Sequence, residues 1–243
     1  MTDLPAFIIH LQRATGRRAQ VDALLSHLGP LAEVMPAVDG TLLTEAQLAT
    51  HLSPRFRPSY PFRLRRSEVA IFLSHRACWR RIVEGKLDAA LILEDDVDLG
   101  PDFPAALALA RHQAAAGAYV RLPLLNRETP QAVLAVHGGT RLYRPRVIGL
   151  GCLGQVVTRG AAEHLLQVTE TFDRPVDVLL QARWAHGAPV LSVWPSGISE
   201  RSGDLGGSLN TAPKPLVQKL MQELRRPLYR ALVSVLSRRK GAA

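Results

Sequence analysis

The sequence predicts an α/β sandwich around a largely parallel central sheet. Two apolar runs, Phe7-Ile8-Ile9 near the start and Ala89-Ala90-Leu91-Ile92-Leu93 further on, show no alternation, as expected of strands buried on both faces. Segments with helical spacing separate them, and this order of early strands and helices is what a layered α/β domain requires. At 243 residues and 47% apolar content, the chain is long enough to bury one full core.

Taken in order, the first strand runs into a basic turn, Arg13 to Arg18, and Val21, Leu24, Leu25 and Leu28 then recur as one helix face. Gly29-Pro30 stops that helix. A short second strand over residues 32–38 ends at Asp39-Gly40, and a Pro- and Arg-rich stretch over 53–66 reads as an irregular excursion whose aromatic residues could cover a site. Ser67 is a plausible N-cap for an amphipathic helix carrying Val69, Phe72, Leu73, Trp79, Ile82 and Val83, with Glu68 in its first turn and Gly85 at its end. The second apolar run follows, and an acidic cluster begins where it stops. Beyond Pro101 the pattern predicts an Ala-rich helix to about residue 113, a strand at 119–122, a hairpin over 133–147 and a strand at 155–158. It continues with a helix at 161–169, a helical stretch at 177–184, a buried strand at 189–194 and a Gly- and Ser-rich loop over 196–208.

The net charge of +9 is concentrated at one end, because residues 214–243 hold eight Lys or Arg against one Glu. A nearly neutral body argues against nucleic acid as a partner, and the sequence divides into a domain over 1–212 and a basic tail over 213–243. Apolar residues at 216, 217, 220, 221 and 224, and again at 228, 232, 235 and 236, describe two amphipathic segments broken by Pro227. Such segments suit an anionic membrane surface; a helix packed on the domain is the alternative. Cys78 and Cys152 have no disulfide or zinc spacing, and the start lacks signal-peptide features, so a cytoplasmic protein at the inner face of the membrane is expected.

The chemistry is expected at the carboxyl ends of the strands, where ligands bind in open α/β sheets. Glu94-Asp95-Asp96-Val97-Asp98 puts four carboxylates there, and these must be neutralised by a cation or by strong donors. Hard oxygen ligands suit magnesium or manganese, with Asp96 and Asp98 on one face of the extended chain able to reach one ion that bridges to nucleotide phosphates. An EF-hand is excluded, because Pro101 and Leu107 stand where it needs Gly and Glu. Arg13, Arg17 and Arg18 follow the first strand at the same edge, where guanidinium groups could pair with diphosphate oxygens. Gly149-Leu150-Gly151-Cys152-Leu153-Gly154 fits a dinucleotide fingerprint in letters only, since the residues after it read as strand and not as the helix the phosphates need.

The segment from Glu68 through Leu73-Ser74-His75, Trp79 and Ile82-Val83 to Leu93-Glu94-Asp95-Asp96-Val97 resembles the core signature of family 25 glycosyltransferases. Ile9-His10-Leu11 with the three arginines, Ala37-Val38-Asp39-Gly40 and Pro175-Val176-Asp177 extend the resemblance over most of residues 6–210. Two departures stand out: His10 where the family usually has asparagine, and Val69-Ala70-Ile71-Phe72 in place of the usual glycine and cysteine. The resemblance implies a GT-A-like fold, a UDP-sugar donor, a divalent metal ion and inversion at the anomeric carbon. It implies Asp96 and Asp98 as metal ligands, Asp39 as a nucleotide contact, and His10, Arg13, Arg17, Arg18, Ser74, His75, Glu94 and Asp95 around the donor. Asp177 becomes the first choice for general base and Glu68 the second. A glycan or glycolipid of lipopolysaccharide type is the acceptor it implies, with UDP-galactose the favoured donor. A metal-dependent phosphoesterase, or a non-catalytic sugar-nucleotide-binding module at a membrane, are the other readings.

Overall fold

The computed structural model describes residues 4–112, 117–201 and 216–240, with the side chains of 216–224, 239 and 240 outside the description. Its first strand, β1 (Ala6–His10), is buried at every position and sends alternate residues to opposite faces of the sheet. Phe7 and Ile9 enter one apolar cluster, and Ala6 and Ile8 the other. This two-sided burial is why the run lacks polar alternation. Helices α1 (Arg18–Leu28) and α4 (Phe103–His112) cover the Ile8 face. Helices α3 (Arg66–Glu84), α5 (Arg159–Val168) and α6 (Val176–Gln181) cover the Phe7 face, giving three layers.

The remaining strands are β2 (Ala32–Pro36), β3 (Ala89–Glu94), β4 (Val97–Leu99), β5 (Tyr119–Arg121), β6 (Pro130–His137), β7 (Thr140–Pro145), β8 (Gly154–Thr158), β9 (Val190–Trp194) and β10 (Ile198–Glu200). Eight form one sheet in the order β2-β1-β3-β8-β5-β9-β7-β6, and β4 pairs with β10 in a separate ribbon. The sheet agrees with the largely parallel expectation in strand direction and is mixed in pairing: β2-β1-β3 and β5-β9 pair in parallel, while β8 is antiparallel to both neighbours and β7 is antiparallel to β6 and β9. Strand direction between β3 and β5 is set by the route of the chain through the β6-β7 hairpin, which a residue-by-residue pattern does not encode.

Three local differences have clear causes. Helix α2 (Glu45–His51) stands in a stretch given no element from sequence, begun by a reciprocal cap between Thr44 and Gln47. Helix α3 starts at Arg66 rather than after Ser67, because the Glu68 carboxylate accepts from the Arg65 backbone N–H at 2.7 Å. The predicted helical stretch at 177–184 is split into α6 and α7 (Arg183–His186).

Helix α8 (Leu216–Lys240) runs through Pro227, so the basic tail is one helix instead of two broken segments. Proline removes one helical N–H, yet Tyr229, Val233 and Ser237 are held against the body and keep the helix continuous there. The domain boundary at 212–213, residue 113 and most of the 196–208 loop lie outside the described residues. No helix among the described residues is long and apolar enough to cross a membrane.

Candidate active site

The register of β1 against β3 builds the first part of the site. Ile9 lies opposite Glu94, so the next residues, His10 and Asp95, emerge side by side at the carboxyl edge of the sheet. His10 Nδ1 and Asp95 Oδ2 are 2.7 Å apart. A single 3₁₀ turn (Thr15–Arg17) then carries Arg17 back onto the acidic run. Its Nη1 donates to Asp95 Oδ1 at 2.6 Å and lies 3.1 Å from Asp96 Oδ2, with all three side chains buried. Burial alone would lower the Arg17 guanidinium, but the Asp95 hydrogen bond and the charges of Asp95, Asp96 and Glu94 raise it above its ordinary value. Burial, with the Glu94 carboxylate adding to it, pushes Asp96 up to about 6 against the pull of Arg17.

Arg17, Glu94, Asp95 and Asp96 line a cavity of about 300 Å³, closed on its other sides by the loop after β2 and by α3. Ser74 on α3 accepts from the Val38 N–H at 2.9 Å and donates to the Ala70 carbonyl at 2.8 Å, so it pins that loop to the helix. Gly40 makes the close approach possible, since a Cβ there would sit 2.9 Å from the Arg66 carbonyl oxygen. Asp39 receives the Arg13 Nε at 2.6 Å and the Thr41 N–H at 2.9 Å; the Arg13 bond first, then Thr41, hold its carboxyl down at about 2. His75 is fully buried, with Nε2 3.8 Å from Glu94 Oε1.

A second cavity of about 940 Å³ adjoins the first, and Glu94 and Ile71 line both. Asp177 lines the larger one, where its Oδ2 accepts from the Gly151 N–H at 3.0 Å and its Oδ1 from the Val178 N–H at 2.8 Å. Gly151 has φ of +95°, a conformation in which glycine presents its N–H to the carboxylate without a Cβ penalty. The loop is fixed from behind: buried Arg121 donates to Glu128 and to the carbonyls of Leu150 and Gly151, and Glu128 also takes the Gly149 N–H and the Tyr143 hydroxyl. The glycine-rich motif is therefore a shaped loop feeding β8, with no helix at its end.

The structure brings Arg13, Arg17, Ser74, His75, Glu94, Asp95 and Asp96 together around the small cavity, with His10 behind Asp95 and Asp39 bonded to Arg13. Glu68 and Asp177 fall in the larger one, where Glu68 also serves as the α3 cap. Two residues stand apart. Arg18 points to Asp22 one helical turn away, and Asp98 is exposed on β4 with Oδ1 accepting from the Leu99 N–H; neither lines either cavity. Arg17 is also engaged with Asp95 and Asp96, so part of the charge of the acidic run is met by the chain itself, while Asp96 Oδ1 is left without a hydrogen-bond partner.

The Arg121–Glu128 pair and fully buried Arg174 were not singled out from sequence. An arginine inside the apolar run Ala118 to Leu122 was the available signal, because a charge there requires a partner. Arg174 sits between Asp173 and Pro175, and it bonds Asp173, the carbonyls of Phe56 and Pro58, and the Tyr229 hydroxyl. Apart from the adjacent Asp173, those partners lie more than a hundred residues upstream or fifty downstream, beyond the reach of any local pattern.

The model of glycosyltransferase family 25 (LPS biosynthesis protein) matches residues 3–180. A "Glycosyltransferase 25 family member" of Drosophila pseudoobscura pseudoobscura is 37% identical over 113 residues, covering 44% of this chain and 18% of its own length. "Procollagen galactosyltransferase 2" of Homo sapiens is 34% identical over 95 residues, 37% of this chain and 15% of its own. A "Probable inactive glycosyltransferase 25 family member 3" of Rattus norvegicus is 35% identical over 101 residues, 40% of this chain and 18% of its own. The matched region thus spans under a fifth of each of these relatives. With the family model covering most of the chain, including β1, α3, the acidic run and Asp177, this protein belongs to glycosyltransferase family 25.

Proposed function

We propose that the chain is an inverting hexosyltransferase that moves a sugar, galactose first among the choices, from a UDP-sugar to a hydroxyl of a lipooligosaccharide-type glycan. One observation carries this reading: two cavities of different chemistry meet at Glu94. The smaller combines the acidic run with Arg13 and Arg17, which suits a nucleotide diphosphate. The larger, walled by Tyr60, Phe62 and Tyr229, suits an acceptor sugar. The parallel β2-β1-β3 unit ending in that acidic run supports a GT-A-like assignment.

Asp96 fits a divalent ion, manganese or magnesium, because its Oδ1 is buried without a hydrogen-bond partner. Asp96 and Glu94 would hold it, and Asp98 is set aside on its exposed face. Among the described residues no three His, Cys, Asp or Glu side chains form a metal cage. An ion at Asp96 and Glu94 would therefore be held by one or two carboxylates and completed by substrate phosphates. When bound, the ion supplies positive charge against the donor diphosphate.

In the transfer, the acceptor hydroxyl oxygen bonds to the anomeric carbon as the bond to the diphosphate breaks, and its proton passes to the Asp177 carboxylate. The Gly151 and Val178 N–H groups orient that carboxylate. Arg13 stands at the diphosphate side, steadied by Asp39. We further assign the chain to the cytoplasmic face of an anionic membrane, on the strength of the exposed Leu228, Leu232 and Val235 beside Arg225 and Arg238 on α8.

The test is product analysis with a panel of UDP-sugars, manganese and glycan acceptors. A new glycoside formed with release of UDP is expected. Phosphoester cleavage without a glycoside would favour the phosphoesterase, and UDP-sugar binding without turnover would align the chain with the relative named inactive.

A further inference from the structure

Helix α8 is more than an appendage of the larger cavity. Arg226, Tyr229, Arg230 and Val233 line it, at the i, i+3, i+4, i+7 spacing of one helix face. That face is clamped in place: Arg174 Nη1 donates to the Tyr229 hydroxyl at 3.2 Å, and Arg183 Nη2 to the Ser237 carbonyl at 3.2 Å. Tyr229 also meets the Tyr60 ring edge-on, with centroids 5.6 Å apart. The Arg226 guanidinium lies over the Phe62 ring at 5.9 Å, and among the described residues neither Arg226 nor Arg230 has a carboxylate partner. By contrast Arg121, inside the same cavity, is fully engaged with Glu128.

Glu94, at the junction with the small cavity, Glu68, Asp177 and Glu200 supply carboxylates to this cavity, and α8 supplies two arginines opposite them in kind, with Arg127 a third and Arg121 paired to Glu128. Tyr60 lines the cavity with these groups, and burial first, with the Glu68 and Asp177 charges adding to it and Arg226 opposing, pushes its hydroxyl well above the ordinary value. An acceptor with an anionic substituent would be repelled from the acidic, reacting end and drawn to the basic wall, which fixes which end of it faces the donor. Guanidinium groups one helical turn apart can both reach a single oxyanion, and the Tyr60, Phe62 and Tyr229 rings offer apolar surface to a sugar ring.

We propose that α8 is the acceptor-recognition wall and that the acceptor is a sugar carrying a phosphate or carboxylate, bound by Arg226 and Arg230. This rests on the larger cavity being the acceptor side of the proposed transferase. The test is calorimetric titration of the full chain and of its Arg226→Gln/Arg230→Gln double variant. Glucose 6-phosphate, glucuronate, glucose and inorganic phosphate are the probes, and UDP with manganese is titrated separately.

The intact chain is expected to bind at least one anionic sugar about tenfold tighter than glucose, and tighter than inorganic phosphate. Comparison of the first two probes tells phosphate from carboxylate. The double variant is expected to lose that preference with an unchanged thermal midpoint and unchanged UDP affinity. Equal binding of glucose and both anionic sugars, a preference that survives in the double variant, or inorganic phosphate binding as tightly as the sugar phosphate would each overturn the proposal. Absence of UDP binding beside an intact anionic-sugar preference would instead fault the donor assignment.

Discussion

Arg17 donates to Asp95 at 2.6 Å with both side chains nearly sealed from solvent, so one charge of the acidic run is paired within the fold before any ligand arrives. Removing one partner of a buried pair leaves the other charge unsolvated. Arg17→Ala is therefore expected to destabilise the protein by about 3 kcal/mol. Urea unfolding at neutral pH checks it; a change within experimental error would mean that Asp95 and Asp96 find other donors.

Asp177 is held by two backbone N–H groups at the edge of the larger cavity. Asp177→Asn keeps the shape of the side chain and removes its capacity to accept a proton. Transfer is expected to fall at least ~100-fold while UDP-sugar affinity stays within about twofold. Initial rates and equilibrium titration give both values, and retained turnover would remove Asp177 from the role of base.

His186 is buried, with Nε2 facing the Leu180 carbonyl and Nδ1 taking the Ala188 N–H, so both ring nitrogens are satisfied by the neutral imidazole. Burial pushes its pKa down from 6.5 to about 4. A depressed pKa means that the unfolded chain binds the proton more readily. The contribution is complete above pH 6.5 and is lost as pH falls through the interval down to about 4, on the order of 3 kcal/mol. His186→Gln should be less stable at pH 7 and should lose less on acidification, as compared by urea midpoints at pH 7 and pH 4.5. Equal acid losses in the two proteins would count against the assignment.

The outward face of α8 carries exposed Leu228 and Leu232. Leu228→Asp/Leu232→Asp is expected to reduce co-sedimentation with phosphatidylserine-containing vesicles several-fold and to leave UDP binding unchanged. Point substitution is the cleaner test, because deleting residues 214–243 would also remove Arg226, Tyr229, Arg230 and Val233 from the cavity wall. Unchanged sedimentation would leave α8 with its inner face alone.

Much of this architecture was legible because its signals are local. Two-sided burial writes itself into Phe7-Ile8-Ile9 and Ala89 to Leu93, and the acidic run at the end of β3 marks the edge where the cavities open. The cap that starts α2 is equally local, in Thr44 and Gln47. What could not be read depends on distant partners. Whether Arg17 faces a ligand or Asp95 is decided by the pairing of β1 with β3, and Asp98 parts from Asp96 because β4 pairs with β10. Arg174 joins the 56–58 stretch to α8 through contacts more than fifty residues away on either side.

The role of Asp96 in a metal-dependent UDP-sugar transfer carries the proposed function. It is tested most directly by measuring hexose transfer from UDP-galactose in manganese, in chelator, and with Asp96→Asn. Transfer that requires manganese, ceases with chelator and falls at least ~100-fold in Asp96→Asn is the predicted result. Transfer that continues at full rate in chelator, or in Asp96→Asn, would contradict it.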